Sequence, residues 1–550
     1  MPASSLDELN SLQDARLLER SGQWLKAAET CKQLLSSQLK PAVRAGVLKE
    51  IGFCFRRAAM QSSSSVDFQK TLQNAREFYL RASRDFGTSL EMHGEASHCR
   101  GAGLICQSLG VLDPAERKRV LNEARTNELD ALRVFVAERN LSGAAESCIS
   151  LLESTVELVD IEIQGENKRS LLKEGVEAWE SLLALGVGVE GRVLALLYSW
   201  SSGLRYQAAL LMPDADQRKA SGNMALEHAQ SALDHALAGE DDYAIAYSNI
   251  RSGWAKDEFT GEVDKAEAHF RDALAHASRV GDHWLKASAE YGLCFASYWR
   301  MSQEEDYERM KIRSKECEEQ ARRAIEEATL VNYGFIIAMA YAFGLAENYY
   351  NFSRLEIEDQ QKQENLDRAA EMARKAVEEA RRSGSGIALS LSLHSLSKTL
   401  HFLATREKDQ SRKRSMLREA LEIRKEAIEK ASEATPFFYW NLGVFHSYLA
   451  RINAELADVD PESSTQLLED SARNMETCID LCRRDSSAWP DEQKGPMAWY
   501  LSWYGDILTK LQSRNRQQQL LERAGAAFDE AAEIYEKLGA LGNVARMKWR

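Results

Sequence analysis

Lys265-Ala-Glu-Ala-His-Phe-Arg-Asp-Ala-Leu-Ala-His-Ala277 sets a small residue at 266, a bulky one four positions on at 270 and a small one three further at 273. At this spacing the three share one helical face, and the small residues let a neighbouring helix come close on either side of the ring. The pattern recurs as Ala75/Tyr79/Ala82, Ala225/Ala229/Ala232, Cys317/Ala321/Ala324, Ala369/Ala373/Ala376 and Ala524/Phe528/Ala531. Looser copies are Ala27/Cys31/Leu34, Ala124/Glu128/Ala131, Gly175/Trp179/Leu182, Ala420/Arg424/Ala427 and Ser471/Met475/Cys478. Successive first positions lie 41 to 53 residues apart, most often 51. A period held over the whole chain marks a repeat protein, in which each unit buries its apolar face only against its neighbours.

Between the triplets lies a second feature, an aromatic or imidazole ring followed by a small residue: Tyr291-Gly292, Phe343-Gly344, His394-Ser395, His446-Ser447 and Tyr504-Gly505. Each unit therefore holds two helices, and the spacing predicts an all-α chain of about eleven antiparallel pairs. Gly87, Gly186, Gly239, Gly281, Gly384 and Gly539 follow second helices, where a left-handed residue closes a helix. Pro114, Pro436 and Pro461 stand behind Asp113, Thr435 and Asp460, as first helical residues do behind N-caps. The polar stretches 61–65, 301–309, 359–365 and 405–414 read as linkers. No segment alternates with the period of a strand.

Composition agrees. The 550 residues include 31 Gly and only 8 Pro, with 44% hydrophobic and 28% charged residues, enough apolar material for a large core and too little Pro and Gly for a turn-rich all-β chain. Asp+Glu exceed Lys+Arg by 84 to 70, a net charge of −14. A field of that sign repels phosphate backbones and anionic lipid, so neither nucleic acid nor a membrane surface is expected as a partner. The first residues carry no basic-then-apolar leader, and the longest apolar run, 335–346, is shorter than the ~20 residues of a membrane span. Nine cysteines without a C-x-x-C suggest neither a disulfide framework nor a zinc module, and a reducing cytoplasm is the expected location.

The paired features resemble the tetratricopeptide repeat, whose first helix carries a large-then-small pair and whose second carries Ala-x3-Phe-x2-Ala. Residues 265–277 and 523–531 resemble that second helix closely. The units are longer than the family's 34 residues, and the extra length is expected in extended helices or in the loop between the two. The resemblance implies an α-solenoid, a right-handed superhelix that binds proteins or peptides on a concave wall of first helices. It divides the chain into 1–215, with degenerate repeats, and 216–550, with regular ones ending in a capping helix. Counted in the family's register, the concave slots hold Tyr247, Trp254, Tyr341, Asn348, Tyr349, Asn441, Tyr448 and Arg451. Aromatic, Asn and Arg side chains are what interface hot spots use.

Other motifs are read against plainer alternatives. Gly186-Val-Gly-Val-Glu-Gly191 matches G-x-G-x-x-G, but a helix rather than a strand precedes it, so a turn is preferred to a dinucleotide site. His228/His235 and His269/His276 repeat at the local period and could face a metal from adjacent helices; surface residues copied with the repeat are the simpler account. Cys478 and Cys482 replace Ala427 and Ala431 of the preceding unit and read as core rather than as a redox pair. Arg412-Lys413-Arg414 reads as a solvated loop. No catalytic constellation is assembled. The expected function is a non-enzymatic scaffold or regulatory sensor without a cofactor, which binds a protein or peptide and could sit in a larger complex. The alternatives are a small-molecule or metal sensor, or a regulatory subunit or target of a signalling protease or nucleotide switch acting in trans.

Overall fold

The computed structural model describes residues 6–549 apart from 37, 163–164, 187–190, 213, 305, 357, 435–438 and 486–494. Among them are 23 helices and no strand, when the continuous helix 334–355 is counted once across its π-type stretch Ala340–Glu347. They run as eleven antiparallel pairs, from Leu6–Arg20 with Trp24–Leu34 to Gly495–Asn515 with Gln518–Lys537, closed by Leu541–Trp549. Every triplet lies on the second helix of its pair, and all three positions of all eleven are buried.

Why the triplet works is visible around Phe270. Its ring is held between Gly253, on the first helix of its own pair (Asp242–Thr260), and Gly292, on the first helix of the next (His283–Gln303). A Cβ at either glycine would stand 2.5 or 2.4 Å from the ring. Phe528 meets Gly505 and Tyr79 meets Gly52 in the same way. A bulky second-helix residue thus fills a hole left by the small member of a first-helix pair, at the close packing of protein interiors.

The extra length per unit lies in helices. Residues 359–365 and 410–414, which read as linkers, are the opening turns of Asp359–Ser383 and Gln410–Ala434, each 25 residues long. Their Gln, Glu, Lys and Arg are polar enough for a loop but are good helix formers, and propensity prevails. Arg412-Lys413-Arg414 is therefore helical: Arg412 pairs with Glu407 at 3.4 Å and Arg414 Nε donates to Val459 O at 2.9 Å. Pro114 opens its helix, with the Asp113 carboxylate accepting from Glu116 N. Pro461 instead lies in the turn before Ser464–Asp485, and Pro436 lies outside the described residues. Gly186, Gly281, Gly384 and Gly539 have φ of 85°, 69°, 74° and 70°. Gly87 is right-handed at −64°, because the chain turns on into the short helix Leu90–Met92. After Ala238 the left-handed residue is Glu240 (φ 51°) rather than Gly239.

The chain forms two compact units, one of residues 1–209, 220–348 and 378–385, the other of 210–219, 349–377 and 386–550. In the first unit early pairs meet pairs four or five further on. The Gln61 amide donates to Gly22 O at 2.8 Å and also to Val280 O. His283 N donates to Met60 O at 2.8 Å, Arg57 pairs with Asp282 at 3.1 Å, and Gly384 packs on Pro114 and Ile161. The coil winds back onto itself.

Two outcomes follow for stability. Gly292→Ala, Ala324→Trp and Ala376→Trp each overfill a closed helix contact, at a cost of about 1–3 kcal/mol in chemical denaturation; an unchanged midpoint would show these contacts to be open. Gln61→Ala removes one bond to the neighbouring pair and one between turns, and costs about 1–2 kcal/mol. Hydrogen exchange should rise both near Gly22 and near Val280, 258 residues away in sequence; a rise confined to residues around 61 would contradict the winding.

Candidate functional site

The slots expected to face a partner lie on the first helices, and the two units arrange them differently. In the first unit it is filled from within. The Arg57 guanidinium lies 3.4 Å from the centre of the Tyr243 ring. Tyr247, Trp284 and Tyr333 continue a column of rings at centroid spacings of 6.3, 5.6 and 5.5 Å. Lys49 bridges Glu95 (3.0 Å) and Glu146 (2.9 Å), while Arg56 pairs with Glu153 and Arg117 with Glu157. Burial pushes the Glu157, Asp160 and Asp282 carboxyls up, against the pull of the neighbouring arginines. Only a narrow recess of about 10 Å³ remains among Arg117, Glu157, Asp160, Tyr333 and Phe335.

The expected concave residues divide accordingly. Tyr247 is 1% exposed, its hydroxyl accepting from Arg251 Nη2 at 2.8 Å. Asn348 is wholly buried and donates to Ser314 O at 2.8 Å. Neither presents a surface, because the coil's own rings and helices occupy that side. Trp254 is half-buried among Phe270, Tyr291 and Phe295. Tyr341 is half-buried on the π-type stretch. Tyr349 is buried, and the Asn441 side chain lies outside the described residues.

In the second unit, Tyr448 and Arg451 belong to a run of rings and cations across four successive first helices. Lys398 Nζ stands 4.1 Å from the centre of Tyr350 and 5.9 Å from that of Tyr448. Arg451 stacks over Tyr448 at 5.4 Å and over Trp503 at 4.5 Å. Such contacts contribute about 0.5–2 kcal/mol each and fix the rings' orientation. Tyr350 and Lys398 are buried, whereas Tyr448, Arg451 and Trp503 are half-buried and Trp499, one turn before Trp503, is 54% exposed. The run therefore opens to solvent between the helices Tyr439–Val459 and Gly495–Asn515. Lys398, Trp499 and Trp503 were missed in the sequence. Their signal was there, since 394, 398 and 401 share one helical face, as do 448, 451 and 455 and also 499 and 503.

Behind this face Arg424, at the centre of its triplet, is wholly buried; it donates to His394 O at 3.0 Å and stands against His394 Nδ1. Burial first, and then the Arg424 charge, hold His394 well below the usual imidazole range. Burial lowers His401, 3.0 Å from Glu455, and His446, 2.9 Å from Asn474 Oδ1. These rings are neutral when folded and take up protons near pH ~6.5 when unfolded. Their stabilisation is present above that pH and is lost as pH falls toward the folded values. Melting temperature should drop between pH 6.5 and 5, and His394→Gln should flatten the slope; an equally steep slope would place the effect elsewhere.

The four candidate metal histidines find separate partners. His228 lies 2.9 Å from Ser201 Oγ, and burial lowers it to about 4. His235 stacks on Tyr198, His269 bonds Asn249 at 2.8 Å and His276 meets Asp242 at 2.5 Å. Among the described residues, the donors that do come together are Glu19, Glu50 and Cys54, within 4.8 Å of one another. They lie on two helices, with no motif to announce them. The G-x-G-x-x-G stretch follows the helix Gly165–Ala184, and its last glycine opens Gly191–Leu210; residues 187–190 lie outside the described ones. Cys478 and Cys482 are free and buried, like the other seven cysteines. No described helix is long and apolar enough to cross a membrane.

No family model matches the chain, and no curated protein does. Similar solved structures include a signal transduction ATPase with a tetratricopeptide repeat sensor from Pyrococcus horikoshii, at 14% identity over 73% of this chain with a TM-score of 0.43. This chain covers 52% of that one. A Rap protein complexed with competence and sporulation factor shares 14% identity over 76% of this chain and 99% of its own, with a TM-score of 0.39. Yeast Tom70 shares 12% over 98% and 95%, with a TM-score of 0.31. At such similarity none of these names carries over. The eleven helix pairs with their triplets are the tetratricopeptide-like, all-α solenoid that the repeat pattern implied.

Proposed function

We propose that the chain is a non-enzymatic interaction scaffold that holds a segment of a partner protein on the open end of the ring–cation run in its second unit. The observation that carries this reading is the arrangement of Tyr448, Arg451, Trp503 and Trp499 on two neighbouring first helices, two of the rings already fixed by one guanidinium and the outermost ring in solvent. Preorganised aromatic and Arg groups at the edge of a buried layer are the composition of binding hot spots. The guanidinium has five donors in a planar fork, suited to a carboxylate or backbone carbonyl of an extended segment lying across the rings. The part played in the cell, as a regulator or as a member of a larger assembly, follows from the partner.

The test is a combined Tyr448→Ala, Arg451→Ala, Trp499→Ala chain used as bait in extract of the native host beside the wild type. With an unchanged helical spectrum it should lose the captured partner, each hot-spot truncation weakening binding by about 2 kcal/mol. Equal capture by a folded variant would refute the reading. Trp499→Ala alone, at an exposed ring, keeps the test open should the combined variant unfold.

A further inference from the structure

We infer that Glu19, Glu50 and Cys54 form a site for one zinc-class divalent ion, joining the helix Leu6–Arg20 to the helix Pro41–Ala59. One donor atom from each lies within 4.8 Å of the others, and Cys54 Sγ is 3.5 Å from Glu19 Oε1. A tetrahedral zinc ion, with sulfur at about 2.3 Å and oxygen at about 2.1 Å, sets its donors roughly 3.4–3.8 Å apart. Glu50 and Cys54 are one helical turn apart and face the same way. The third helix, Trp24–Leu34, brings the buried Cys31 beside the same carboxyls, which help burial raise its thiol to about 12.

Core filling does not explain this cluster. Glu19 and Cys54 are buried, and two carboxyls packed against a thiol are costly to bury without a countercharge. Lys49, the adjacent cation, bridges Glu95 and Glu146, and its charge on Glu50 does not outweigh burial and Glu19. The carboxyls share a hydrogen bond, and burial with the Glu19 charge pushes Glu50 up to about 8. A divalent ion held by these donors would offset the charge that two carboxylates and a thiolate carry as ligands. The thiolate selects a zinc-like ion over calcium or magnesium, which take oxygen ligands. Glu50 is half-buried, which leaves a way in, and water or the neighbouring Cys31 would complete the ligand set.

The experiment uses the full chain, reduced and stripped of metal with a chelator, titrated calorimetrically with Zn²⁺ in two buffers of different ionisation enthalpy and followed spectroscopically with Co²⁺. One ion should bind with release of protons as the thiol ionises, and Co²⁺ should show a thiolate charge-transfer band with the d–d intensity of a tetrahedral ion. Cys54→Ser should abolish that band, and Glu50→Gln, which keeps a hydrogen bond to Glu19, should weaken Zn²⁺ at least as much as loss of an outer-shell partner does, about tenfold. Cys478→Ser should leave both readouts unchanged. Zn²⁺ binding no tighter in the wild type than in folded Glu50→Gln, or a Co²⁺ spectrum without the thiolate band, would overturn the site.

Discussion

The residue at the centre of each triplet governs the layers around it. Where it is a ring, as in Phe270, the first helices on either side must surrender their side chains, and Gly253 and Gly292 do so. Where it is charged, the first helix must supply chemistry as well as space. Glu128 and Arg424 stand in this position with opposite charge, both fully buried, and each faces a histidine 30 residues earlier on its pair's first helix. Beside Glu128, burial works against a charged His98, but the carboxylate and its 2.9 Å hydrogen bond outweigh burial and raise the ring. Beside Arg424, burial and the guanidinium act together and keep His394 neutral. One slot thus takes either sign, because imidazole can change its protonation to match.

The second constraint is the winding of the first unit. Solenoids are commonly stabilised by neighbours along the chain alone. Here Gln61, Arg57 and Met60 bond residues more than 200 positions away, and the rings and ion pairs of the first helices fill the space that the turns enclose. Surface that would serve a ligand in an open array becomes core. The binding face proposed for this chain accordingly lies where the ring–cation run meets solvent, at Arg451, Trp499 and Trp503.

That difference marks how far the sequence could be read. The triplet is a local signal, three residues on one face repeated at one period, and it fixed the number and type of the helices as well as which faces are buried. Coil radius is not local. It depends on pairings such as Arg57 with Asp282, so Tyr247 looks like a groove residue in sequence while packing in a column of rings. The histidines at 228, 235, 269 and 276 share a spacing, but each took the nearest partner, since a hydrogen bond or ring contact at hand satisfies an imidazole without any ion. The Glu19, Glu50 and Cys54 cluster was hidden for the opposite reason: its members share no pattern and meet only after three helices have packed.

The contacts between turns also bear on how this chain can change over evolutionary time. Repeat arrays usually gain or lose whole units by duplication or deletion, because a new unit needs only two compatible neighbours. In the first unit the match between one pair and the fourth or fifth beyond it is specific: Gln61 must find Val280, and Gly384 must find Pro114. Removing a single pair would bring every later turn against the wrong partner. The copy number of this segment is therefore locked by its own winding, and lineages should vary it by substitution, or by a whole turn of pairs, rather than one repeat at a time.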